Sequence, residues 1–164
     1  MLLSPGDVAP VVEHASRRRV VTPLMAAGAV SIIAGGLAAA VTGPTGWDDG
    51  SWVAAYLVLV AGVSQIGLAV GQAELAARPL TPRAVGVELV LWNAGCLAVI
   101  AGTLLSLPVA VAIGSAPLVA TLAMSSHNVR HPVRHARLAL VYRTLVAVLL
   151  ASIPVGVALA WIRA

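Results

Sequence analysis

Charged side chains are scarce in this sequence. Asp, Glu, Lys and Arg together make up 10% of the 164 residues, whereas hydrophobic residues make up 60%. A soluble domain carries about 25% charged residues, which cover its surface. The scarcity therefore argues against a water-soluble globule and predicts that most of the surface faces lipid. Lysine and phenylalanine do not occur at all, and we attach no mechanism to their absence.

Other absences narrow the range of functions. The single cysteine, Cys96, lies in an apolar run and has no partner for an internal disulfide or a cysteine metal cluster. The sequence contains no phosphate-binding glycine-rich loop and no nucleophile motif, so we predict neither a cofactor nor an enzyme acting alone. Its formal charge is +4, but no basic face is interleaved with stacking aromatics. We therefore predict no nucleic-acid partner.

What the sequence does contain is a set of long apolar runs. A helix that crosses the hydrocarbon layer needs about 20 mostly apolar residues. Residues 84–125 are too long for one such helix, and we divide them at Ser106-Leu107-Pro108 because proline disfavours helix just before it. The sequence predicts an all-α integral membrane bundle, multi-pass in the cell membrane, with five spans at 21–41, 51–72, 84–105, 109–125 and 138–162. Residues 1–20 are predicted to form a cytoplasmic N-terminal segment, and residues 21–164 the transmembrane domain.

The arginines test this division. With five spans, nine of the ten arginines fall on one side of the membrane and only Arg163 on the other. Arginine is enriched in cytoplasmic loops, so we predict that the N-terminus is inside and the C-terminus outside. Trp47, Trp52 and Trp161 then lie at the outer interface, which tryptophan favours. Arg17-Arg18-Arg19 loosely resembles a twin-arginine export signal, but the length of the run and the four later spans favour an uncleaved first span.

Placing a polar side chain inside a membrane span costs free energy, so each such residue is a candidate for a functional role. Glu88 lies about one turn inside the third span, with Trp92 and Cys96 on the same helix face. We predict that Glu88 pairs with Arg143, at a similar depth in the fifth span; the alternative is an isolated Glu88 that carries a proton. Further intramembrane amides either bond to neighbouring helices or line a polar path: Gln65, Gln72 and Asn93.

Histidines spaced by four follow the fourth span. An i, i+4 histidine pair on a helix can bind zinc or copper, and this sequence has His127, His131 and His135. Pro132 interrupts that helix, however, and the neighbouring arginines repel a cation. We therefore predict no metal site and interpret the segment as a basic loop that contacts anionic lipid headgroups through Arg130, Arg134 and Arg137.

Two glycines four residues apart, Gly67 and Gly71, form a small-xxx-small pair in the second span. Small residues let membrane helices approach closely. The pair packs either against another helix of the same chain or in the seam of a dimer.

One stretch carries a family resemblance. Leu91-Trp92-Asn93-Ala94-Gly95, followed by Gly102-Thr103-Leu104 and Pro108, resembles a helix of small prokaryotic membrane proteins related to haem–copper oxidase subunit I. That family implies a helical bundle in a respiratory membrane, with haem held by intramembrane histidines. All four histidines here, His14 included, fall outside the predicted spans. The resemblance therefore implies an accessory relative that lacks the haem and copper sites.

These observations lead to three functional hypotheses. The first is a non-catalytic accessory or scaffold subunit that packs in the lipid bilayer with a membrane-protein partner or with itself. The second is a small oligomeric carrier or channel that uses Glu88 and Asn93. The third is a redox-associated subunit of a respiratory membrane complex.

Overall fold

Helices account for nearly all of the described chain. A computed structural model describes residues 5–76, 79–129 and 136–163, with side chains from residue 15 onward. Five helices in these ranges are long and apolar enough to cross a membrane: Ala15–Thr45, Gly50–Leu75, Pro82–Leu104, Pro108–Asn128 and Ala136–Arg163. No strand occurs in the same ranges. The prediction of an all-α membrane bundle with five spans is confirmed.

The first span belongs to a longer helix than the hydropathy indicated. Helix α1 runs from Pro5 to Thr45, so residues 5–20, which we had set apart as an N-terminal segment, are continuous with the span. Arg18 helps to fix this extension, because its Nη2 lies 2.7 Å from the Glu74 carboxylate. Arg17 donates in addition to the carbonyl of Ala76. These contacts connect the helix, just before its apolar run, to the end of the second span.

The second span changes its winding partway along. It consists of helix α2 (Gly50–Tyr56), a π-helical segment (Leu57–Ser64) and helix α3 (Gln65–Leu75). Ser64 Oγ donates to the carbonyl of Leu59, five residues back, at 2.8 Å. This spacing matches the wider π turn, in which backbone bonds also reach five residues.

The third and fourth spans form a tight helical hairpin. Helix α4 (Pro82–Leu104) and helix α5 (Pro108–Asn128) are separated by three residues. Ser106 has a φ of 53°, and the amide of Leu107 donates to the carbonyl of Gly102 at 2.8 Å. Pro108 then begins α5 at a position where a missing N–H costs nothing. The predicted break at Ser106-Leu107-Pro108 is confirmed.

Small residues let the helices of this chain pack against each other. The fifth span is helix α6 (Ala136–Arg163). A Cβ added to Gly67 would lie 2.8 Å from Leu145 of α6, and one added to Gly71 would overlap the ring of Tyr142. Both glycines therefore lie where the second span packs closely against α6 of the same chain.

The two ends of the bundle differ in composition. We call the end with Arg17, Arg83 and Arg137 the arginine end. The opposite end carries Trp47, Trp161 and the α4–α5 turn, and we call it the tryptophan end. Trp161 is exposed, as a residue at a membrane interface would be.

The start of α4 provides a first testable prediction. Thr81 Oγ1 accepts a hydrogen bond from the amide of Ala84 at 3.2 Å and caps the helix, with Pro82 at its first position. We expect Thr81→Ala to lower the free energy of unfolding in detergent by about 1 kcal/mol, because a helix amide loses its acceptor. Thr103→Ala is the matched control, since the Thr103 hydroxyl donates to a carbonyl of its own helix. An equal loss in both variants would contradict a capping role.

Candidate functional site

A buried carboxylate lies near the arginine end of the bundle. Glu88 of α4 is only 1% exposed. Its Oε2 accepts from Gln72 Nε2 at 2.7 Å and from Ser125 Oγ at 3.4 Å, and its Oε1 accepts from Asn128 Nδ2 at 3.3 Å. The carboxylate is therefore held by neutral donors from α3 and α5.

The donors are also bonded to each other. Gln72 Nε2 lies 3.2 Å from Ser125 Oγ, and Asn128 Nδ2 donates to Gln72 Oε1 at 3.0 Å. We call Gln72, Glu88, Ser125 and Asn128 the Glu88 cluster. Gln72 and Glu88 each contact the other three members. Since buried polar groups are costly unless bonded, this network is what allows a carboxylate at this depth.

The predicted pair between Glu88 and Arg143 is not formed. Arg143 is exposed, and no ion pair to Glu88 occurs among the residues described. The reason is helix rotation. The neighbouring Tyr142 is buried and its ring faces Gly71, and successive residues on an α-helix differ by about 100° in direction. Arg143 therefore points away from the interior of the bundle.

The three predicted intramembrane amides differ in their hydrogen-bond partners. Gln72 belongs to the Glu88 cluster, whereas Asn93 is half-buried and donates to the carbonyl of Leu89 on its own helix at 2.8 Å. Gln65 is 1% exposed, and neither of its amide atoms has a hydrogen-bond partner in the described part of the chain. The same holds for the indole N–H of Trp92 and the hydroxyl of Tyr142.

Sequence reasoning missed two members of the cluster, Ser125 and Asn128. Both lie in the last turn of α5, three residues apart, and thus on one helix face. Their position at the arginine end of the fourth span matches the depth of Glu88 in the third. This match in depth is the sequence signal that could have identified the two residues as partners of Glu88. It does not, however, indicate which way this face of α5 points.

A cavity opens at the tryptophan end. Its volume is about 420 Å³, and it lies between the second span, α4, α5 and the half of α6 that is nearest the tryptophan end. Its deepest residues are Trp92, Leu122 and Leu149, while Asp49 and Arg163 lie at its mouth. Trp92 follows Glu88 by four residues, about one helix turn or 6 Å along α4. The cavity thus reaches from one end of the bundle almost to the carboxylate.

The histidine and headgroup predictions fall largely outside the described residues. Four of the predicted residues lie outside the described ranges: Arg130, His131, Arg134 and His135. His127 is exposed at the end of α5, and Arg137 is exposed in the first turn of α6. Within the described ranges, no three His, Cys, Asp or Glu side chains are grouped to hold a metal ion.

Comparisons with known proteins do not assign the chain to a family. No protein-family model matches the chain, and searches of the curated proteins and of the solved structures find no match either. The resemblance to relatives of haem–copper oxidase subunit I therefore stays a prediction, and the chain is placed by its architecture alone, as a helical multi-pass membrane protein.

Proposed function

We propose that this protein is a small membrane carrier whose proton-binding group is Glu88. The observation that supports this most directly is the setting of the carboxyl group. It is 1% exposed inside a span, and its partners are the neutral side chains of Gln72, Ser125 and Asn128. An ionisable residue inside a membrane protein without a cationic partner is typical of proton-carrying sites.

The partners suit a group that gains and loses a proton. When Glu88 is ionised, the amides of Gln72 and Asn128 and the hydroxyl of Ser125 all donate to it, as the distances indicate. When Glu88 is protonated, its O–H needs an acceptor, and the Ser125 hydroxyl or the Gln72 carbonyl oxygen supplies one. The cluster can therefore satisfy the carboxyl group in both states without rearranging the helices.

Both sides of the bundle come close to the carboxyl group. Toward the arginine end, Asn128 is only partly buried and lies in the final turn of α5. Toward the tryptophan end, the cavity ends at Trp92, one turn from Glu88. A carrier needs a binding group between two points of access, and Glu88 has this position.

Proton flux into proteoliposomes tests the proposal. A potassium gradient with valinomycin would set the membrane potential, and a pH-sensitive dye trapped inside would report proton entry. We expect Glu88→Gln to reduce the rate to that of protein-free vesicles, because an amide cannot bind and release the proton. Glu88→Asp keeps a carboxyl group and should retain measurable flux.

The control is Glu74→Gln, which removes another carboxylate near this end of the bundle, one that pairs with Arg18. This variant should conduct like the wild type. Size-exclusion profiles and tryptophan fluorescence would establish that each variant is folded. Unchanged flux in folded Glu88→Gln, or no flux above background in the wild type, would contradict the proposal.

A second candidate is the accessory subunit, supported by one face of α1. Gly36, Ala40 and Gly43 lie on that face and are exposed, and a Cβ added to Gly36 or Gly43 would meet nothing within 4 Å. Exposed small residues at this spacing favour close approach of another membrane helix. If this face docks a partner or a second copy, Gly36→Leu should abolish co-purification of that partner after mild solubilisation, whereas Gly86→Leu should not.

For location, we propose the cell membrane with the arginine end in the cytoplasm. The support is the concentration of Arg17, Arg83 and Arg137 at one end of the bundle, because positive residues are retained on the cytoplasmic side. Labelling single cysteines placed at residues 48 and 137 from outside the cell tests this orientation. Only the cysteine at residue 48 should react.

A further inference from the structure

The cavity at the tryptophan end has the properties of a binding site for a chain-like apolar group. Its volume of about 420 Å³ falls within the range of roughly 300–1,000 Å³ that is usual for ligand sites. Leucine, isoleucine and valine supply 11 of its 24 lining residues, including Leu118, Leu122, Leu149 and Ile153. An apolar group bound there would contact mainly apolar side chains.

The cavity is long as well as apolar. It follows α5 from Pro108 to Leu122, which corresponds to about 21 Å at 1.5 Å per residue. One leaflet of a bilayer contributes about half of a hydrocarbon core of roughly 30 Å. A single acyl chain that enters at the mouth can therefore extend down to Trp92.

The mouth carries two opposite charges. Asp49, at the start of α2, and Arg163, at the end of α6, both line the cavity and both are exposed. Neither forms an ion pair with another described residue. A zwitterionic head group complements this mouth, since its cation can face Asp49 and its anion can face Arg163. A purely anionic or cationic head group would meet one like charge.

The cavity is also accessible from the side. The inner half of α6 packs into the bundle through Ala139, Tyr142, Val146 and Leu149. From Leu150 to Arg163, no residue of α6 is buried. Gly156 lines the cavity in this outer half, and a Cβ added to it would meet nothing within 4 Å. A molecule in the surrounding leaflet can thus reach the cavity past α6 without crossing water.

We propose that the cavity binds a zwitterionic amphiphile, with its acyl chain between α5 and α6 and its head group between Asp49 and Arg163. This inference rests on the proposed carrier function in one respect: if the protein is a carrier, the bound amphiphile is the substrate that it carries. The binding itself does not require Glu88 to transfer a proton.

Tryptophan quenching measures this binding directly. Trp47→Phe and Trp161→Phe remove the two tryptophans outside the cavity, and Trp52→Phe leaves Trp92 at its deep end as the sole emitter. The probe is lysophosphatidylcholine with a nitroxide near the end of its acyl chain, added to the full-length protein in maltoside micelles. Because Trp92 is only 1% exposed, quenchers outside the protein reach it poorly. We expect quenching that saturates with probe concentration.

Two pairs of variants separate a specific site from general partition into the micelle. Gly156→Phe fills the cavity and should abolish the saturable quenching, whereas Gly86→Phe, equally free of contacts but outside the cavity, should preserve it. Asp49→Asn should raise the half-saturation concentration about fivefold, as loss of an exposed charge pair implies. Asp48→Asn, one residue away and not lining the cavity, should leave it unchanged.

Three results would overturn the inference. These are quenching that rises linearly with probe, quenching that is equal in the Gly156 and Gly86 variants, and equal affinity for an anionic or cationic probe with the same chain. Glu88→Gln should bind the probe as the wild type does. If the wild type binds the probe but shows no proton flux, the amphiphile site is supported and the carrier function is rejected. If it shows proton flux but does not bind the probe, the carrier function is supported and the amphiphile site is rejected.

Discussion

Replacing Gln72 by leucine should destabilise the protein by about 3 kcal/mol, because a buried hydrogen-bonded charge then loses its shortest partner. Gln72 donates to Glu88 at 2.7 Å and to Ser125 at 3.2 Å, and accepts from Asn128 at 3.0 Å. Leucine can make none of these bonds. The free energy of unfolding, measured by chemical denaturation in detergent, is the quantity to compare.

The same chain supplies a matched control for this variant. Gln65 lies on the same helix, seven residues away, and is buried to the same degree. Its amide has no hydrogen-bond partner among the described residues. We expect Gln65→Leu to leave stability unchanged or to raise it, because an unpaired buried amide is itself costly. Equal destabilisation of the two variants would show that the Glu88 cluster contributes nothing specific.

Gly71→Ala should also be strongly destabilising, although it adds only one carbon. The new methyl group would overlap the ring of Tyr142, which is buried between α3 and α6. Overpacking of this kind costs about 1–3 kcal/mol. At Gly86, where a Cβ meets nothing within 4 Å, the same substitution should be stabilising by about 0.5–1 kcal/mol, because alanine favours helix over glycine.

A double variant distinguishes overlap from any other effect of the substitution. Tyr142→Leu removes the ring that the Gly71→Ala methyl group would strike. The cost of Gly71→Ala should therefore be much smaller in the Tyr142→Leu background, and a thermodynamic cycle in detergent measures the difference. If the two costs simply add, Tyr142 is not what limits the size of residue 71.

The spans were predictable from the sequence because length and hydropathy determine them directly. Pro108 marked the break between α4 and α5, and the arginines supported an odd number of crossings. Gly67 and Gly71 likewise pointed to a close helix contact. In each of these cases the deciding property is read along the sequence itself, so no knowledge of which helices are neighbours was needed.

The partners of Glu88 were not predictable in the same way. Hydropathy gives the depth of a residue but not the rotation of its helix, and a shift of one position turns a side chain by about 100°. Arg143 and Asn93 have suitable depths but point elsewhere, whereas Asn128 lies beyond the end of the predicted fourth span at residue 125. The cavity depends on the spacing between the second span and the half of α6 nearest the tryptophan end, which a sequence pattern does not encode.

The three-residue turn between α4 and α5 has a consequence for biogenesis. Leu105, Ser106 and Leu107 carry no charge, so the connection adds almost no electrostatic barrier to transfer across the bilayer. Glycines on both helices let the two spans pack at close range from the start, as Gly95 does against Leu118 and Gly114. The pair can therefore insert as a preformed hairpin during synthesis, before the final span has left the ribosome.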